Sequence, residues 1–157
     1  EILFKAKGIE EYDKNKWYYG YYVKLDKTTY CFKEDYEKNS NNSEHKIIFD
    51  VITDWGLPNQ HKMVDIDINT LCQYTGLTDK NGKKIFENDI CVGNDYCDKE
   101  KFVIKFGKYK TDDWKEAYGC DTYQFGWYAE FINSKKQVCL VIPNGIHVIG
   151  NIFDSEV

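Results

Sequence analysis

The chain has 157 residues, of which 42% are hydrophobic and 17% aromatic, and it carries a net charge of −5. That length holds one ordinary domain or two small ones, with enough apolar content for a real core. Every basic residue is Lys and none is Arg, so the planar fork that reads phosphate and guanine is missing. No segment is basic either, which argues against a nucleic-acid partner.

No run approaches the ~20 apolar residues that a bilayer span needs, and no charged-then-apolar leader opens the chain. A cytoplasmic protein without a membrane partner is expected. Six cysteines (Cys31, Cys72, Cys91, Cys97, Cys120, Cys139) are present without a C-x-x-C pair. They are expected to be reduced thiols, mostly small buried hydrophobes.

In chain order, Ile2-Leu3-Phe4 predicts a short strand, and Asp13-Lys14-Asn15-Lys16 a turn. Trp17-Tyr18-Tyr19-Gly20-Tyr21-Tyr22-Val23 then has the aromatic and β-branched content of a strand. Gly20 inside it signals a bulge or a close backbone approach. Alternation places Tyr18 and Tyr22 on one face and Tyr19 and Tyr21 on the other, so one pair packs inward. Thr28–Phe32 is the expected hairpin partner, and Asn39–Ser43 reads as a loop by composition.

Strands are expected over Lys46–Ile52 and Met63–Ile68, the second alternating apolar and acidic positions. Asp67 or Asn69 can cap one helical turn through Thr70-Leu71-Cys72-Gln73. Asp79-Lys80-Asn81-Gly82 is strong turn chemistry, since Asp and Asn bond their own backbone and Gly takes positive φ. Beyond Asp89 short strands follow at 90–92, 101–106, 126–132, 138–142 and 146–152, with an Asn144-Gly145 turn between the last two. Short strands separated by turns predict a small SH3-like barrel or a bent sheet. Gly107–Gln124 reads as one long polar and aromatic loop, of the length that is usually functional.

The run from Gln73 to Ile90 resembles the YopX family, whose signature is Q-Y-T-G-L-x-D-K-N-G-K-x-I-[FY]-E-G-D-I. The opening is similar too, with F-K-A-K, a D-x-N-x-W turn and Y-G-Y-Y-V, and so is the V-I-G-N-I-F ending. The resemblance implies a small protein encoded by a phage or prophage, and it brings no catalytic residue set. One departure stands out: Asn88 occupies the place where the family usually has Gly. Asn tolerates the left-handed conformation best after Gly, so the same bend is expected.

Chemistry is sparse. His45, His61 and His147 fall in three segments without ligand spacing, so no metal site is expected. Asp79-x-Asn81 opens like a calcium loop, but Lys83, Lys84 and Ile90 stand where the loop needs a ligand, its Gly and its bidentate Glu. No phosphate-binding loop and no nucleophile motif is present. Catalytic residues and cofactors are therefore expected to be none. In the signature, Tyr74, Gly76, Asp79, Asn81, Gly82 and Asp89 read as turn geometry and strand entry.

The architecture expected is mainly β, with few helical turns: an N-terminal β unit over 1–72 packed on a C-terminal barrel-like unit over 73–157. The candidate contact residues are Tyr109, Trp114, Tyr118 and Tyr123, because exposed Trp and Tyr anchor interfaces; the competing reading has them completing the core. The function expected is non-enzymatic binding of a host or phage protein, such as a host factor or defence protein. Two alternatives stand beside it: a nucleic-acid-binding regulator using an aromatic β face, and an enzyme with a clustered carboxylate site.

Overall fold

A computed structural model describes residues 1–12, 15–26, 30–39, 43–52, 54–93, 100–111, 121–140 and 145–154. The chain is mainly β and divides into two compact units, Glu1–Cys72 and Gln73–Val157.

In the first unit, strands β1 (Phe4–Lys7), β2 (Trp17–Asp26), β3 (Ser43–Val51) and β4 (Gln60–Asp65) pair antiparallel in the order β4-β3-β2-β1. Alternation along β2 sorts its tyrosines. Tyr18 and Tyr22 pack with Phe4, Phe49 and Leu71 against buried Ala6, Ile47 and Ile66. Tyr19 and Tyr21 face out, more than half exposed. Gly20 marks a close approach rather than a bulge: a Cβ built there would lie 2.1 Å from the Ile48 carbonyl oxygen. β3 can lie this tightly against β2 only because that side chain is absent.

Two expectations fail here. β2 pairs with β3, through Leu25 opposite Glu44, and not with a strand at Thr28–Phe32. The described part of that stretch leads into a short helix, α1 (Lys33–Lys38), while 27–29 lie outside the described residues. α1 buries none of its residues and so has no apolar stripe to reveal it. What supports it is local: Glu34 and Asp35 in its first turn, Lys38 in its last, and an exposed Lys33–Glu37 pair. Ser43 opens β3 rather than ending a loop, and 40–42 are not described. Asp67 does cap a single 3-10 turn, Ile68–Thr70, accepting from Asn69 N. The turn is tied to β1, since Thr70 Oγ1 accepts the Lys7 N–H at 2.8 Å.

The second unit contains β5 (Cys72–Thr78), β6 (Lys84–Phe86), β7 (Asp89–Val92), β8 (Lys101–Thr111), β9 (Thr122–Phe131), β10 (Gln137–Cys139) and β11 (His147–Asn151). β5 and β6 form a hairpin. The others form an antiparallel sheet in the order β10-β9-β8-β7-β11. This sheet is open, so it is not the SH3-like barrel: closure needs the first and last strands to pair, and β10 and β11 end the order on opposite sides. Its core is Ile85, Cys91, Phe102, Ile104, Ala129 and Val148. Each fully buried aliphatic side chain contributes about 1.5–3 kcal/mol.

Cys72 and Cys91 are buried as expected of small hydrophobes; Cys31 and Cys139 are exposed thiols, and Cys97 and Cys120 are not described. Gly145 has φ 115°, as its turn requires, while Asn144 lies outside the described residues. Among the described residues no helix is long and apolar enough to cross a membrane.

Candidate functional site at the aromatic end of the long hairpin

The stretch expected to be one loop, 107–124, is at both of its ends the far part of a hairpin. β8 and β9 stay in register from Phe102–Phe131 out to Thr111–Thr122, which leaves 112–120 as the undescribed connection. The polar and aromatic composition of 107–124 masked two strands, because Lys, Gly and Tyr alternate there without the run of apolar residues that marks a buried strand.

Period-two alternation gives the hairpin two faces. On one, Phe102, Ile104 and Ala129 lie in the core, and the same row continues outward as Phe106 opposite Trp127, Lys108 opposite Phe125 and Lys110 opposite Tyr123. Burial stops partway along. Phe106 is 47%, Tyr123 56% and Phe125 75% exposed. The phenylalanine rings still touch: Phe106 lies 5.2 Å from Phe125 in an edge-on arrangement and 4.9 Å from Trp127. The Lys108 ammonium sits 4.3 Å over the Tyr123 ring, and Lys110 pairs with Asp121 at 2.8 Å. The result is a ridge of mutually braced aromatic side chains with two lysines on it.

The opposite face is closed. Gly107 stands opposite Gly126, and on this face Tyr109 and Tyr128 stack at 5.0 Å. The Tyr109 hydroxyl donates to Gln124 Oε1 at 2.7 Å, and the ring is only 3% exposed. Glu130 binds Lys105 and Gln137 nearby; the Lys105 ammonium and then the Gln137 amide hold its carboxyl below the usual range despite partial burial.

The four candidate contact residues therefore separate. Tyr123 is on the exposed ridge, Tyr109 is corrected to a core residue that offers no surface, and Trp114 and Tyr118 lie outside the described residues. The ridge residues that sequence reasoning passed over are Phe106, Phe125 and Trp127. Their signal was the i, i+2 spacing of 123, 125 and 127, invisible while that stretch was taken as a loop.

The signature residues form a different kind of site. Tyr74 packs on Phe86 at 5.5 Å across the β5–β6 hairpin, with Lys84 over its ring. Gly76 and Gly82 take φ of 88° and 80°. The Asp79 carboxylate is buried and accepts the N–H groups of Asn81 (2.8 Å), Lys83 (2.9 Å) and Val148 (3.3 Å), with His147 Nδ1 3.5 Å away. Burial pushes its pKa up, but the three N–H donors and His147 pull harder, so the net direction is down. Asn81 also meets His147 Nδ1 at 3.1 Å. Asp89 accepts from Phe86 N at 2.8 Å and from Asn151 Nδ2 at 3.0 Å, both buried. A carboxylate engaged this fully in backbone and amide hydrogen bonds is poorly placed to abstract a proton or bind an ion. Among the described residues, no cluster of His, Cys, Asp and Glu could hold a metal ion.

The fold and these two regions define a mainly β protein with a saturated polar turn network and an exposed aromatic ridge. It belongs to the YopX family: the model of that family, described as YopX protein, matches residues 10–156. No curated protein and no solved structure matches the chain significantly.

Proposed function

We propose that the protein is a non-enzymatic accessory module, of phage or prophage origin, that binds a partner protein through the β8–β9 aromatic ridge. The observation behind this is the exposure of Phe106, Tyr123 and Phe125 on one face of the hairpin, continuous with the core. Contiguous exposed rings on a rigid strand pair are characteristic of interface anchors, because they present large area at small entropic cost. The chain as a whole is acidic. Charges beyond about 8 Å are screened at physiological salt, and with Lys110 paired to Asp121 the Lys108 ammonium sets the local sign. The partner surface that fits is apolar with an acidic rim, as a host factor or defence protein can offer.

The same four rings beside two lysines also suit stacked bases of a single strand. That second reading is weakened by the missing Arg and the net charge, and it predicts binding that falls steeply with salt. The test compares wild type with Phe125→Asp in a pull-down from host lysate. A stoichiometric partner held by wild type and lost by the variant supports the reading; equal retention by both overturns it.

A further inference from the structure

The inner face of the first sheet does not end where its core ends. Beyond Tyr18 and Phe49, whose rings lie 5.6 Å apart, it opens into a groove of about 510 Å³. Val51 and Val64 continue its floor, and among the described residues Lys16 and Lys62 are its only charged lining residues. In a chain of net charge −5 this is a local reversal of sign. Neither lysine makes an ion pair with a described carboxylate; Lys16 lies over the Tyr18 ring at 5.1 Å.

Beside the groove runs a strand edge. β4 ends the sheet order, and its residues Gln60–Met63 are exposed. Ile66 N donates to His45 O, continuing the β3–β4 ladder. Antiparallel alternation then turns the backbone groups of Gln60, Lys62 and Val64 toward β3 and those of His61, Met63 and Asp65 away. The outward direction is visible at Asp65, whose carbonyl accepts from Ile9 N at 3.3 Å. Among the described residues no strand lies beyond His61 and Met63.

From this combination we infer that β4 and the groove form a second binding site, which takes an extended peptide segment of a partner protein as an added strand. Main-chain hydrogen bonds to His61 and Met63 supply affinity, and side-chain pockets supply choice, as in other strand-addition sites. The chemistry wanted on the groove-facing side is definite. A large apolar side chain lies over Tyr18, Phe49 and Val64, and a carboxylate two residues away meets Lys62 and Lys16. This site is separate from the β8–β9 ridge, and its failure would leave the ridge reading intact.

The test uses the full chain and a blocked, threonine-rich heptapeptide carrying Phe, Glu and Phe at alternate positions. A twin peptide has Lys in place of Glu. Binding is followed by amide NMR shifts and by hydrogen exchange. The Glu peptide should shift His61 and Met63 and slow exchange of the Met63 amide, whereas the Lys twin should bind at least tenfold more weakly. Met63→Pro removes an N–H that points away from β3, so the ladder is retained while peptide affinity falls about tenfold. Lys62→Glu should lower affinity for the Glu peptide by a similar factor. If Met63→Pro does not fold, exchange protection of Met63 in the wild type gives the same answer. Equal binding of both peptides, unshifted His61 and Met63 amides, or self-association through β4 in place of peptide binding would each overturn the site.

Discussion

In the signature turn polar groups are buried and fully engaged, whereas at the far end of the β8–β9 hairpin apolar rings are exposed with only each other for company. Asp79 and Asp89 stand out in a sequence as candidate acids, yet their oxygens receive backbone and amide donors from the turns and strands around them. Phe106 and Phe125 stand out as core residues, yet water reaches them. The difference teaches that a residue's type says little about its role until its capacity for interaction is compared with what the fold already uses. The turn network has used its capacity on architecture; the ridge has some left for a partner.

The sharpest way to break this comparison is to remove a carboxylate from the network. Asp89→Ala orphans the buried N–H of Phe86 and one amide hydrogen of Asn151. Each buried donor left unsatisfied costs about 1–3 kcal/mol, so a loss of about 3–5 kcal/mol is expected, read as a lower urea midpoint. A loss below about 1 kcal/mol would mean that the network is not what holds β6, β7 and β11 together.

Asp79→Asn comes next, at about 2 kcal/mol near neutral pH, because the amide offers one acceptor oxygen where the carboxylate offered two. The folded-state pKa of Asp79 lies below the ordinary value for an aspartate. Its contribution is therefore fully present above about pH 4 and is lost as pH falls through the folded value. Wild type minus Asp79→Asn should consequently shrink on acidification below pH 4. A difference that grows there would reverse the sign of the argument.

These effects also show which parts of the fold were legible beforehand. Local chemistry was: the Asp79–Gly82 reversal, the Asp67 cap and the sorting of Tyr18 and Tyr22 from Tyr19 and Tyr21 all follow from backbone rules that act within a few residues. Gly20 was legible as a special position, though only the structure shows that Ile48 O is what a side chain would strike. The failures are those of longer range. Neither the β2–β3 pairing nor the open sheet can be read from spacing alone, since an edge and a closed seam have the same period of two. Tyr109 misled because Tyr suits both a wet surface and a dry one. It is buried with its ring stacked on Tyr128 and its hydroxyl donating to Gln124.

Smaller effects sharpen the other side of the comparison. Phe125→Ala removes a ring that is 75% exposed and braced by Phe106, so stability should fall by only about 0.5–1 kcal/mol while partner capture is lost. A large stability loss would make the ridge an extension of the core and remove the case for a binding face. The smallest change is expected at Asn88, whose φ of 62° is a left-handed bend. Its backbone is held from both sides, with N–H to Ile104 O at 2.8 Å and C=O from Ile152 N at 3.1 Å. Replacing Asn by Gly relieves a modest strain and loosens the unfolded chain by a comparable amount. Asn88→Gly should therefore be neutral or stabilising by a few tenths of a kcal/mol. A clear drop in thermal midpoint would show that the Asn88 side chain is itself part of the network centred on Asp89 and Asn151.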